Sequence, residues 1–164
     1  MLCGIQRSAV SDDAKATISI AIMNLASNDD GRHRRRRALI AAGACEAVAD
    51  ALRSAASDDA KTKISSAISH LSLNNDGRRA LIAAGACDAV ADALRSAASD
   101  EAKANISIAI IDLSSDDDGR RAVIAAGACE AVADALRSAV SNYAKAKMSR
   151  TIYLLVQGGG GTLR

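Results

Sequence analysis

Three cysteines, two histidines and one run of cations are the residues in this 164-residue chain best equipped for chemistry. Cys45, Cys87 and Cys129 each close the same octapeptide, Ala-Leu-Ile-Ala-Ala-Gly-Ala-Cys, with Val123 the one change in the third copy. Recurrence at a fixed interval puts them on stacked, equivalent elements. Stacked helices lie about 8–10 Å apart, and a disulfide needs Cα atoms within about 4.4–6.8 Å. No second ligand travels with each Cys at metal spacing, and there is no CxxC. Reduced thiols serving as small packing residues are expected, with no metal and no cofactor. Cys3 lies outside any lipidation motif. His33 and His70 sit in different contexts. His70 shares a helical face with Ser66 four residues earlier, but no acid or oxyanion arrangement accompanies the pair, so hydrolysis has no residues to stand on. Arg32, His33, Arg34, Arg35, Arg36 and Arg37 form the cationic run. Such a run suits nuclear targeting or phosphate contact. The plainer reading is a solvated loop or an extended first helix, and no neighbouring aromatic offers a base-stacking platform. Gly158-Gly159-Gly160-Gly161 is read as a flexible tail over 158–164. No Lys-Ser/Thr and helix follow it, as a phosphate loop would require.

Composition narrows what must hold these residues. Half the chain is apolar, yet it has no Trp, no Phe and only Tyr143 and Tyr153, so the core is Ala, Ile, Leu and Val. There is no Pro, which suits helices. A net charge of +2 gives no whole-molecule pull toward nucleic acid or membrane, and nucleic acid is the less favoured partner. The first residues lack an apolar stretch and soon reach Asp12-Asp13, so no secretory signal is expected. The strongly apolar run over 38–45 is too short for a membrane span. An intracellular location, cytoplasmic or nuclear, with free thiols follows as the expectation.

The dominant feature is a repeat. The octapeptide begins at Ala38, Ala80 and Ala122, a spacing of 42 residues. Ser-Asp-Asp-Ala-Lys at 11–15 returns at 57–61, four residues beyond that period, and the extra four fall in the basic stretch 32–37. The organisation expected is a partial unit 1–37, units 38–79, 80–121 and 122–157, and the tail. Arg7-Ser8 matches Arg53-Ser54, so the first unit starts inside a second helix. A period of about 40–47 fits HEAT and armadillo arrays and not the shorter ankyrin or tetratricopeptide units.

Each unit parses into three helices. Asp76-Gly77 separates one helix from a short one over 78–84, which Gly85 stops as a C′ glycine. A second helix spans about 87–97, with Glu46, Asp88 or Glu130 in its first turn. Ser99 caps a third, whose Ala102, Ile106, Ala109, Ile110 and Leu113 form one buried stripe. Ala60, Ile64, Ala67, Ile68 and Leu71 repeat that stripe one unit earlier.

A short helix, a glycine break and two longer helices resemble the armadillo repeat. Gly43-Ala44, Gly85-Ala86 and Gly127-Ala128 supply its Gly-Ala step, and Ala21-Ile22-Met23-Asn24-Leu25-Ala26 its third-helix ending. The resemblance covers residues 8 to 157. Its departure is an acidic residue where the family often opens the second helix with Pro. Two-helix HEAT units are the nearest rival, and the glycine break argues against them. The resemblance implies an all-α, right-handed superhelical solenoid of three-helix repeats. It also implies a non-catalytic scaffold whose third helices line a concave groove for an extended protein or peptide segment.

Residues 38–79 and 80–121 differ at ten positions, and seven lie on the third helix: 59/101, 62/104, 63/105, 66/108, 69/111, 70/112 and 73/115. Their spacing places them on one side of that helix, opposite the buried stripe. Exposed charges on the second helix, such as Asp50 and Arg53, do not vary. The groove would then carry four rungs. The first is Asp13, Thr17, Ile20 and Asn24; the second Asp59, Lys63, Ser66 and His70. The third is Glu101, Asn105, Ile108 and Asp112; the fourth Tyr143, Lys147, Arg150 and Leu154. In the family's nuclear-import receptors a Trp and, four residues on, an Asn recur on the third helix. Only Asn24 matches that pattern here, which argues against an import-receptor role.

Overall fold

Alanine-rich segments broken only by Gly and by Ser, Asp or Asn caps leave the chain one regular option, the helix. The computed structural model describes residues 11–27 and 32–157. Residues 1–10, 28–31 and 158–164 lie outside the described residues, as do the side chains of Ser27 and Arg32. With them fall Cys3, the Arg7-Ser8 match and the glycine tail. Ten helices occupy the rest: α1 (Asp12–Ser27), α2 (Arg32–Ala41), α3 (Ala44–Arg53), α4 (Asp58–Leu71), α5 (Asn75–Ala83), α6 (Ala86–Ser96), α7 (Asp100–Leu113), α8 (Asp117–Ala125), α9 (Ala128–Ser138) and α10 (Asn142–Gln157). After α1 they run in threes, α2–α4, α5–α7 and α8–α10. The fold is an armadillo-type right-handed superhelical solenoid of three-helix repeats.

The third helices form the most extensively packed layer, α1 on α4, α4 on α7 and α7 on α10. The second helices stack in parallel as α3, α6 and α9, and each packs on the third helix of its own unit. Ala60, Ile64, Ala67, Ile68 and Leu71 are all buried between these layers, as are Ala102, Ile106, Ala109, Ile110 and Leu113. Small side chains suit the approach: Ser19, Ser65 and Ser107, at equivalent positions of successive third helices, are all buried.

The caps follow the expected chemistry. Ser57, Ser99 and Ser141 hydroxyls accept from the backbone N–H of Ala60, Ala102 and Ala144 at 3.2, 3.2 and 3.1 Å. Gly43, Gly85 and Gly127 turn the chain between first and second helices at φ 81°, 74° and 78°, where an L side chain is strained.

Gly77 departs from the reading above. It lies inside α5, which starts at Asn75 with Asn74 as N-cap, its side chain accepting from Gly77 N–H at 2.7 Å. A Cβ there would lie 1.8 Å from the Leu71 carbonyl oxygen, and at Gly119 1.8 Å from that of Leu113. The glycine therefore serves close packing against the end of the preceding third helix. It does not break a helix.

Candidate functional site

The four rungs lie on the third-helix layer. Thr17, Asn24 and Arg150 are exposed, while Ile20, Lys63, Ser66, His70, Asn105, Ile108, Asp112, Lys147 and Leu154 are half-buried. Several polar rung residues are satisfied within their own helix. Thr17 Oγ1 donates to the Asp13 carbonyl at 2.8 Å, Ser66 Oγ to Thr62 at 3.1 Å and Asn105 Nδ2 to Glu101 at 2.9 Å. His70 Nδ1 lies 2.8 Å from the Ser66 carbonyl, to which its N–H donates. Lys63 Nζ pairs with Asp59 Oδ2 at 2.6 Å. Lys147 Nζ stands 5.3 Å from the centre of the Tyr143 ring.

Adjacent rungs meet at Asp112. Its carboxylate lies beside the Ser69 hydroxyl and within electrostatic reach of His70 on α4 and Arg150 on α10. The Ser69 hydroxyl is buried and makes no hydrogen bond of acceptable geometry. Burial raises the Asp112 pKa, against the opposing pull of Ser69, His70 and Arg150.

Not every variable position faces outward as the sequence led us to expect. Ala104 is fully buried and its counterpart Thr62 half-buried, because the central third helices are flanked on both sides by neighbours. Lys61 and Lys103, beside these positions, are also buried.

Their role is structural. Asp58 accepts the backbone N–H of Ala98 at 3.0 Å and that of Ser99, both in the next unit. Lys61 Nζ lies 3.7 Å from Asp58 Oδ1 and donates to the Ser96 carbonyl at 3.1 Å. Asp12 treats Ala56 and Ser57 in the same way, with Lys15 reaching the Ser54 carbonyl, and Asp100 accepts from Val140 and Ser141. Asn142 stands at the corresponding position of α10. Arg53 Nη2 donates to the carbonyls of Ala84 and Gly85 at 2.7 and 3.1 Å, and Arg95 Nη2 to those of Ala126 and Gly127 at 3.4 and 3.2 Å. The unvarying second-helix arginines thus close the end of the next unit's first helix. The sequence signal was their invariance across units; reading them as free surface charges hid it.

The cationic run is a helix, α2. His33, Arg34 and Arg37 are exposed and Arg35 is half-buried. Arg36 is buried, donating to the Ala26 carbonyl at 3.1 Å, as Arg78 does to Ser72 at 2.8 Å. Arg36 therefore closes the end of α1 and leaves the surface patch. A cleft of about 460 Å³ between α2 and the start of α5 is lined by His33, Arg37, Asn74, Asn75 and Asp76.

Cys45 and Cys87 are buried and Cys129 is exposed; all three are free thiols. The exposure of Cys129 corrects its expected place in the core. α6 stacks on α3, and α9 on α6, but among the described residues no further second helix stacks on α9. Burial pushes the Cys45 and Cys87 thiols up to about 11, with Glu46 and Asp88 adding to it. Among the described residues no group of three or more His, Cys, Asp or Glu is placed to hold a metal ion, and no helix is long and apolar enough to cross a membrane.

No family model matches the chain, and no curated protein matches it. Solved structures do. A designed armadillo repeat protein in complex with the peptide (KR)4 superposes with a TM-score of 0.75 at 24% identity, over 88% of this chain and 59% of that one. Computationally designed armadillo repeat proteins for modular peptide recognition give 0.73 at 24%, with the same coverages. An engineered protein gives 0.77 at 19%, over 90% of this chain and 59% of its own. The chain thus spans 59% of the length of each of these three neighbours, and the likeness is one of fold.

Proposed function

We propose that this chain is a non-catalytic protein–protein interaction scaffold that holds an extended partner segment in the concave groove lined by its third helices. The observation that carries this reading is the row of polar side chains running from half-buried His70 through half-buried Asp112 to exposed Arg150 across three successive third helices. Half-burial leaves His70 and Asp112 accessible while already partly desolvated, which suits contact with a partner's backbone or side chains. A neighbour of the same fold is a designed protein in complex with a peptide, which supports the reading by analogy of fold. Free thiols fit an intracellular setting, cytoplasmic or nuclear.

Selection of binders from a displayed peptide library, followed by a pull-down, tests it. Changing Lys63, His70, Asn105 and Asp112 together to Ala is expected to abolish capture. Changing the exposed Asp88, Arg121 and Glu130 on the outer helices to Ala is expected to leave it intact. Exposed substitutions shift stability by only about ±0.5 kcal/mol each. The reverse pattern overturns the groove.

A second reading rests on α2, where Arg34 and Arg37 are exposed and the first turn carries no acidic residue. It makes the chain a nucleic-acid-binding or nuclear-targeted module acting through residues 32–37. Phosphate binding there is expected to fall steeply with salt, and groove binding to do so weakly.

A further inference from the structure

Opposite charges stand on neighbouring rungs without being spent on each other. The second rung neutralises itself through Lys63 and Asp59. The third carries two carboxylates, Glu101 exposed and Asp112 half-buried. The one cation of α7, Lys103, is buried and directed at Asp100, on the far side of the helix from both. The fourth rung carries Lys147 and Arg150, and α10 has no acidic residue from Asn142 to Gln157. Lys147 is placed over the Tyr143 ring, and Arg150 is exposed. Arg150 feels the field of Asp112, yet among the described residues neither Glu101 nor Asp112 is ion-paired with Lys147 or Arg150.

We infer that the groove is bipolar: its third rung takes a cationic side chain and its fourth an anionic one, so its occupant is an extended segment carrying both in succession. This rests on the peptide-groove reading above and names the chemistry of the partner. Burial keeps water from fully compensating the Asp112 carboxylate, and an incoming ammonium or guanidinium supplies what is missing. A cation displaced by one rung meets Lys147 and Arg150, and an anion displaced the other way meets Glu101 and Asp112. The pattern therefore fixes register through repulsion as well as attraction.

The test uses four synthetic peptides of about ten residues, long enough when extended (roughly 33 Å) to cross rungs about 8–10 Å apart. One carries two arginines followed by two glutamates, one only the arginines, one only the glutamates, and one no charge. Fluorescence anisotropy with the full chain is expected to show the mixed peptide binding about tenfold tighter than each singly charged peptide, the size of one or two half-exposed ion pairs, and about a hundredfold tighter than the uncharged one. In Glu101→Gln/Asp112→Asn its affinity is expected to fall to that of the glutamate-only peptide. In Lys147→Gln/Arg150→Gln it is expected to fall to that of the arginine-only peptide. Far-UV circular dichroism checks that both variants are folded. Equal binding of all four peptides, lost on changing Lys63 and His70 to Ala, overturns the bipolar pattern and leaves the groove standing. Binding of none, or binding unaffected by any rung substitution, overturns both.

Discussion

Replacing Asp58 by Ala removes one side chain from the surface and unfastens two units. Its carboxylate accepts the backbone N–H of Ala98 and Ser99, forty residues on, and faces Lys61, whose side chain is only 5% exposed. Hydrogen bonds to a charged group are each worth about 1.5–3 kcal/mol. The two amides are exposed, so water recovers part of that loss. The buried Lys61 ammonium keeps the Ser96 carbonyl but loses its counter-charge, which adds a desolvation cost. We expect Asp58→Ala to lower stability by about 2–4 kcal/mol, a large part of what a short array possesses. Asp58→Asn retains one acceptor and should cost about half as much. Lys61→Met made on the Asp58→Ala background should recover about 1 kcal/mol, because it withdraws the stranded charge. The assay is urea unfolding followed by far-UV circular dichroism, at pH 7 and at pH 2.5. The Asp58 pKa lies below its ordinary 3.8 because the amides of Ser99 and Ala98 and the charge of Lys61 outweigh burial. A depressed carboxylate stabilises above its unfolded pKa and ceases to do so as pH falls through the folded one. The deficit of Asp58→Ala should therefore be full at pH 7 and shrink at pH 2.5. A mutant within about 0.5 kcal/mol of the parent at pH 7, or a deficit indifferent to pH, would refute the inter-unit staple.

The parent should show the same chemistry in acid. Asp12 is held at about 2 and Asp58 and Asp100 below their ordinary value, so urea midpoints should drop between about pH 4 and pH 2. Ile110→Ala, at a fully buried position between layers, should cost about 2–5 kcal/mol in the same assay, and an unchanged midpoint would disprove the third-helix register. Thiol labelling of the native chain should modify Cys129 rapidly and Cys45 and Cys87 only on unfolding; equal rates for all three would contradict the stacking of α6 on α3 and α9 on α6.

Much of this fold is legible in the sequence because its determinants are local. The glycine turns, the serine caps and the three-and-four spacing of Ile64, Ala67, Ile68 and Leu71 each act within one or two helical turns. What escaped acts between units. Asp58 stands in the first turn of α4, where a carboxylate suits the helix dipole, and nothing within ten residues reveals the amides of Ala98 and Ser99 it binds. Gly77 reads as a helix break because glycine has low helix propensity, yet it sits inside α5 where the Leu71 carbonyl leaves no room for a Cβ. Cys129 closes a copy of the octapeptide that differs from those of Cys45 and Cys87 only at Val123, yet it is exposed, with no further second helix among the described residues stacked on α9.

The same inter-unit contacts change what unit-to-unit variation means. Fixed charges on the second helix, set against varied ones on the third, look like a functional face beside an idle one. Arg53 and Arg95 are fixed because each binds the carbonyls that end the next unit's first helix, so their constancy is structural. Part of the third-helix variation is structural as well, since Ala104 is packed between helices. Constancy and variation alone therefore do not separate a binding face from a drifting one. Charge placement does better. The third-helix face carries two carboxylates without an ion pair on α7 and two cations without an acid on α10, while the neighbouring rung pairs Lys63 with Asp59 at 2.6 Å. A partner segment with the complementary order of charges would meet both sets, and this placement adds support to the groove reading without carrying it alone.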